Sequence, residues 1–150
     1  MNQSVVRKCK PDELPEVRKL FEAVFENTFL GHIPVFEEAT HGEEIYVALL
    51  NDNIVGFASI WEPDHFIHYL FVSPNARRKK IGSTIVSSLA EIYGVPLSLK
   101  CLVKNKVGMA FYRATGWQKT ANGSCDDGDY ELLRYNKSKD CIYQIPVSSG

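Results

Sequence analysis

The stretch "SPNARRKKIGSTIVSSL" (Ser73–Leu89) sets four cations in a row, Arg77, Arg78, Lys79 and Lys80, followed by Ile81, Gly82 and Ser83. Ile81, Ile85, Val86, Leu89, Ile92 and Tyr93 recur at helical spacing, so the cations stand where a helix begins. The first backbone N–H groups of a helix have no partner inside it and carry partial positive charge. Gly82 has no Cβ, so the chain there can lie close to a ligand. Successive N–H groups flanked by cations suit the oxygens of a pyrophosphate. The residues alone leave three readings open: an anion cradle, a solvated basic corner and a nucleic-acid contact. Formal net charge is −1, and no stripe of interleaved aromatic and basic residues accompanies the run, which weighs against nucleic acid.

Two further side chains have proton chemistry. His68, in "HFIHYLFV", titrates near neutral pH and lies on the extended run that delivers the basic loop. Strand alternation predicts that Phe66, His68 and Leu70 share one face. His65, Glu62, Asp64 and Glu38 are alternative bases. Tyr112, in "FYRATGW", carries a phenol of reference pKa about 10, protonated and able to donate. On the residues alone it reads first as a core tyrosine on an apolar helix face, and Asn105 as a turn residue at a strand end. The acidic "SCDDGDYE" lacks the spacing of an EF-hand loop and reads as a solvated hairpin turn, so no metal is expected. Cys9, Cys101, Cys125 and Cys141 show no C-x-x-C pair; they read as free thiols in a reducing compartment, Cys9 and Cys101 as buried.

The elements that position these groups follow from periodicity. "SVVRKC" is a short opening strand. Leu14, Val17, Leu20, Phe21, Val24 and Phe25 predict an amphipathic helix over about Asp12–Glu26. The segment "NTFLGHIPVFEEATHGEE" has room for a second short helix, and His32 and Trp61 are candidate liners of an acceptor pocket. "EIYVALL", "IVGFASIW" and "HFIHYLFV", joined by short turns, predict an antiparallel meander. The helix beginning at Ile81 stops at Gly94, and "LSLKCLV" alternates as a strand, which makes a parallel strand–helix–strand crossover. Val107, Ala110, Phe111 and Ala114 mark a shorter helix ending at Gly116. "WQKTA" and "YELLRYN" close the chain as a hairpin across "NGSCDDGD".

A length of 150 residues, 45% of them hydrophobic and 23% charged, suits one domain with its own core. No run is long and apolar enough to span a membrane, and the first residues lack the core of a signal peptide, so a cytoplasmic protein is expected.

With those elements in order, "HYLFVSPNARRKKIGSTIV" followed by "LSLKCLVKNKVGMAFYRATGW" resembles the acetyl-CoA-binding half of the GNAT superfamily of N-acetyltransferases. The family loop reads Q/R-x-x-G-x-G/A; Arg77 fills its first position and Gly82 its last. Lys80 stands at the first glycine, which predicts a less free backbone there and adds a charge. Asn105 matches the family asparagine, with Gly108 where alanine is common, and "FYRATGW" matches F-Y-x-x-x-G-F/W. The match covers about Ile67–Trp117.

The resemblance implies an α/β (α+β) fold: a mixed, mostly antiparallel sheet flanked by helices, with the one parallel crossover at the acetyl-CoA site. It implies a single acetyltransferase domain, with 1–65 as the acceptor-side half, 66–117 as the cofactor core and 118–150 as closing strands and tail. Acetyl-CoA is the implied co-substrate. The backbone of Leu70, Phe71 and Val72 would pair with pantetheine like an added strand. Arg77, Arg78, Lys79, Lys80, Ile81, Gly82 and Ser83 would hold the diphosphate, and Asn105 and Tyr112 would contact the cofactor arm. Acetyl transfer to an amine needs a base, because an amine of pKa about 10.4 is mostly protonated at neutral pH, and an acid for the leaving thiolate. The resemblance gives Tyr112 the acid's place and His68 the base's. A small-molecule or peptide amine is the expected acceptor, with a homodimer compatible and neither nucleic acid nor membrane expected as partner. A non-catalytic acyl-CoA-binding module is the second reading.

Overall fold

Strands β1 (Ser4–Lys8), β2 (Glu44–Leu50), β3 (Asn53–Trp61) and β4 (Phe66–Val72) pair antiparallel in sequence order, the last three as the expected meander. The molecule is seen here as a computed structural model that describes residues 4–26, 33–77 and 80–137. The chain divides into two compact units, one running to Val86 and the other from Ser87 onward.

In the first unit, helix α1 (Leu14–Glu26) follows a 3-10 turn at Pro11–Glu13, so the helix expected from about Asp12 begins two residues later. Arg7 forks onto both Glu13 oxygens, at 2.9 and 2.7 Å, and Glu13 also accepts from the Lys10 N–H at 2.8 Å, which ties β1 to the helix start. Val17, Phe21 and Phe25, at four-residue spacing, form the buried stripe of α1. They pack with Phe36 of the short helix α2 (Phe36–Ala39) and with Val47 and Phe57 of the sheet. Phe21 is the hub, with the rings of Phe25, Phe36, Phe57, Tyr69 and Phe71 all between 4.7 and 6.4 Å from its own. Aromatic pairs at such separations add about 0.5–1.5 kcal/mol each beyond area burial. Tyr69 and Phe71 of β4 are partly buried and pack against this core, which ties β4 to α1.

Helix α3 (Ile81–Tyr93) runs from the first unit into the second. Its start rests on β3 at Gly56. A Cβ there would come 2.9 Å from the Phe71 carbonyl oxygen and 3.4 Å from the methyls of Ile81 and Ile85. The missing side chain is what lets the first two turns of α3 settle on the sheet. At its other end the helix closes on Gly94, at φ +82°, whose N–H donates to the Ala90 carbonyl at 2.8 Å.

The second unit holds β5 (Leu97–Leu102), α4 (Lys106–Ala114), β6 (Gln118–Cys125) and β7 (Gly128–Tyr135), with β5 and β6 each antiparallel to β7. Leu97, Leu99 and Cys101 alternate into the core as expected, while Val103 lies past the strand end and is exposed. Two expectations are corrected. The turn of the hairpin is only Asp126–Asp127, because "NGSC" continues β6. The buried face of α4 is Met109 and Tyr112, whereas Val107 is 72% exposed; the alanines are too small to drive burial against those two larger side chains. Among the described residues no helix is long and apolar enough to cross a membrane.

Candidate active site

Strand β4 carries an irregularity at its most reactive residue. Ser59 pairs with Tyr69 and the next residue, Ile60, pairs with Ile67, so His68 is an extra residue opposite β3. A β-bulge of this kind bends the strand and re-aims its side chains. Consecutive residues of a regular strand point to opposite faces. Here the rings of His68 and Tyr69 stack, 4.1 Å apart and 28° from parallel. The expected alternation of Phe66, His68 and Leu70 is thus broken at His68. Tyr69 lies against Phe21, Phe25 and Phe71, and the bulge brings His68 alongside it.

His68 has a partner that the sequence did not single out. Its Nδ1 is 2.9 Å from one carboxylate oxygen of Glu43, the residue before β2. The other Glu43 oxygen accepts from the hydroxyl of Ser59, fully buried in β3. A carboxylate only accepts, so the bonded Nδ1 is the nitrogen that carries hydrogen, and neutral His68 keeps a lone pair on Nε2. The order Ser–Glu–His sets the hydroxyl against the carboxylate, not the imidazole, which excludes a serine-nucleophile triad here. Ser59 had one sequence signal: it is the lone hydroxyl inside the apolar run "IVGFASIW", and a buried hydroxyl needs a partner. Of the other candidate bases, Glu62 and Asp64 lie in a 3-10 turn that His65 ends at φ +50°, and Glu38 lies in α2.

Leu70, Phe71 and Val72 pair with Ala58, Phe57 and Gly56 of β3. The ring of Phe71 packs, partly buried, against Phe25 and Phe57 of the aromatic core. Arg77 and Lys80 are exposed; Arg78 and Lys79, like His32 and Cys141, lie outside the described residues. Lys80 has φ +60°. It therefore adopts the left-handed shape that glycine takes readily and a lysine does not. Its carbonyl accepts from the Thr84 N–H at 3.0 Å and the Thr84 hydroxyl at 2.9 Å, which makes it the residue that opens α3. A lysine side chain has no acceptor, so Lys80 cannot cap the N–H groups of Ile81, Gly82 and Ser83.

In the second unit, Asn105 caps α4 through its Oδ1, which accepts from the Gly108 N–H at 3.0 Å. A Cβ at Gly108 would lie 2.5 Å from the Asn105 side-chain nitrogen. The asparagine thus folds into space that the commoner alanine would fill, and its two N–H donors are not used by the cap. Tyr112 is buried on the inner face of α4, edge-on to Trp117 at 5.4 Å. Burial, and secondarily the Cys101 sulfur, raise its phenol above the ordinary tyrosine value, so it stays protonated. Cys101 is buried as expected, whereas Cys9 is only half-buried, and burial pushes both thiols up to about 11, so both stay protonated near neutral pH.

Residues 12–117 match the family described as acetyltransferase (GNAT) family. Among solved structures, the chain is similar to ribosomal-protein-alanine N-acetyltransferase from Brucella melitensis, at 20% identity and TM-score 0.67, over 89% of this chain and 99% of that one. Naa50 of Arabidopsis thaliana, in complex with the bisubstrate analogue CoA-Ac-MVNAL, is 16% identical with TM-score 0.67, over 89% and 99%. The putative acetyltransferase yncA from Salmonella typhimurium, with its cofactor acetyl-CoA, is 15% identical with TM-score 0.68, over 91% and 95%. A search of curated proteins finds no match. These likenesses bear out the expected fold class, a mixed, mostly antiparallel sheet flanked by helices. Since the family match spans well over half of the sequence, the chain belongs to the acetyltransferase (GNAT) family.

Proposed function

We propose that this protein transfers an acetyl group from acetyl-CoA to a primary amine, by direct attack of the amine in a ternary complex. The observation that carries the reading is the start of α3. Lys80, in a left-handed conformation, leads into a first turn whose N–H groups it cannot cap, at Ile81, Gly82 and Ser83. Three aligned N–H donors, a residue without Cβ and the flanking charges of Arg77 to Lys80 fit a diphosphate. In this reading the backbone of Leu70 to Val72 pairs with the pantetheine amides, as the family resemblance implies, and the Asn105 donors that the cap leaves over suit the cofactor arm.

Proton movement is divided between two residues. Nε2 of His68 takes the amine proton, directly or through water, as the nitrogen attacks the thioester carbonyl. The N–C bond forms and the C–S bond breaks. The phenol of Tyr112, protonated because it is buried, donates to the sulfur as negative charge develops there. The products are an amide and free CoA thiol, and solvent resets His68 and Tyr112. Naa50 was captured with an analogue that joins CoA to a peptide. A peptide N-terminus and a small-molecule amine are the acceptor classes to test. Acetyl-CoA is incubated with the protein and panels of amino acids, polyamines, amino sugars and short peptides, and thiol release is followed. Sustained release that depends on an acceptor is expected. Acetyl-CoA binding with no release for any amine overturns the transferase reading in favour of a binding module.

A further inference from the structure

We propose that Glu43 is a positioning residue. It grips His68 by Nδ1, and Ser59 fixes Glu43 in turn, so that the Nε2 lone pair faces outward; the use of that lone pair rests on the transferase reading above. Exposure rises along the set: Ser59 is 0% exposed, and the side chains of Glu43 and His68 are 10% and 42% exposed. A hydroxyl sealed from water must find its partner in the protein, and its partner is Glu43. That bond orients the carboxylate so that its second oxygen meets His68 at 2.9 Å. Stacking on Tyr69 sets the plane of the imidazole, and Tyr69 is itself wedged among Phe21, Phe25 and Phe71. Glu43 then decides which edge of the ring faces in. The bulge makes both contacts compatible, because it places His68 and its neighbour Tyr69 side by side.

Two consequences follow for a base. The tautomer with hydrogen on Nδ1 leaves Nε2 ready to accept. Once it has accepted, the imidazolium sits against an anion, which favours the transfer. Other titratable groups near His68 along the chain are Tyr69 on β4 and Glu62, Asp64 and His65 in the turn between β3 and β4, while Glu44 and Tyr46 lie on β2, beyond β3. Among the described residues, the ion pair of His68 is with Glu43.

The decisive variant is Glu43→Gln, of equal size. Its amide can donate to Nδ1, which selects the opposite tautomer and blocks Nε2 with hydrogen. The first readout needs no acceptor: nitrogen-15 NMR of the free protein reports which ring nitrogen of neutral His68 carries hydrogen. The wild type should show Nδ1–H, and Glu43→Gln should lose that preference. The second readout is kinetic. Turnover should fall on the order of 10- to 1,000-fold, less than the roughly 100- to 10,000-fold that a general base itself contributes, with KM for acetyl-CoA unchanged. Glu43→Asp, which restores the charge on a shorter arm, should recover part of the loss. A wild-type spectrum with hydrogen on Nε2 overturns the proposal, as does Glu43→Gln with wild-type turnover. Should Glu43→Gln not fold, the wild-type spectrum still decides. Failure of the wild type to acetylate any amine would overturn the transferase reading instead, and the spectrum would judge the seating of His68 separately.

Discussion

Replacing Lys80 separates backbone shape from charge at the start of α3. The left-handed conformation costs an L-residue roughly 1–2 kcal/mol relative to its ordinary regions. Glycine avoids that cost but is freer in the unfolded chain, which offsets roughly 0.5–1 kcal/mol of the gain. Lys80 has φ +60°, so Lys80→Gly should be more stable than Lys80→Ala by about 0.5–1 kcal/mol, a difference that isolates the backbone. Both variants also remove a cation from the positive end of a helix, which adds about 0.3–1 kcal/mol of stability at low ionic strength. Lys80→Gly should therefore exceed wild type by about 1–2 kcal/mol, or roughly 2–8 °C in Tm for a chain of this size. Acetyl-CoA affinity should move the other way. An exposed charge contributes about 0.2–1 kcal/mol to an ion pair, so both variants should bind up to about fivefold more weakly, with the difference shrinking as salt is added. Urea unfolding and calorimetry on the three proteins decide. Lys80→Gly less stable than Lys80→Ala would refute the left-handed conformation. Unchanged affinity in both variants at low salt would remove Lys80 from the diphosphate site.

Four shorter predictions complete the set. Gly82→Val should leave the circular dichroism spectrum intact and sharply weaken acetyl-CoA binding in calorimetry; equal affinity would sink the cradle. Tyr112→Phe removes only the hydroxyl, so turnover should fall on the order of 100- to 10,000-fold with acetyl-CoA affinity retained, and full activity would return Tyr112 to a packing role. Ser59→Ala leaves a buried Glu43 oxygen without its donor and should cost about 1–3 kcal/mol in urea unfolding; a loss below about 0.5 kcal/mol would contradict that bond. Glu13 is held down to about 2 by the Arg7 fork and by the Lys10 N–H. Its folded value lies below the unfolded one, so its stabilising contribution is complete above about pH 4.5 and fades as pH falls toward 2. Glu13→Gln should flatten the stability–pH curve in that window, and a curve parallel to wild type would refute the assignment.

The sequence carried much of the architecture because most elements had a period and punctuation. The three meander strands are separated by "NDN" and "EPD" and lie within one or two residues of where alternation and turns placed them. Helix α3 begins and ends on the residues expected, Ile81 and Tyr93, since its stripe is unbroken and Gly94 stops it. Misreadings arose where a residue's size, not its class, decided burial. Val107 and the alanines of α4 are apolar yet exposed, while Tyr112, with a polar tip, is inside. The "NGSC" segment looked like a turn by composition, but cross-strand pairing with β7 holds it extended.

The site was legible where its chemistry is local and illegible where it depends on register. Arg77 through Ser83 lie consecutively, so the residues alone suggested an anion cradle; Asn105, the cap of α4, and Tyr112 within it were singled out only through the family resemblance. The bulge at His68 leaves no trace in "HFIHYLFV", because that run is apolar or aromatic at nearly every position and has no period-two pattern to interrupt. Glu43 and His68 stand 25 residues apart, and their meeting depends on the pairings of β2 with β3 and of β3 with β4. Lys80 is the intermediate case. Its charge can be read from the sequence, but its left-handed backbone cannot, since a lysine signals the opposite. What glycine would adopt freely must here be imposed by the neighbours. The contact seen at Lys80 itself is its carbonyl, bonded by the N–H and hydroxyl of Thr84, while Ile81 and Ile85 seat the following turn over Gly56. Gly56→Ala, whose Cβ would crowd the Phe71 carbonyl oxygen at 2.9 Å and touch both isoleucines at 3.4 Å, should loosen the packing of α3 on β3 and lower Tm, and an unchanged melting curve would contradict that close approach.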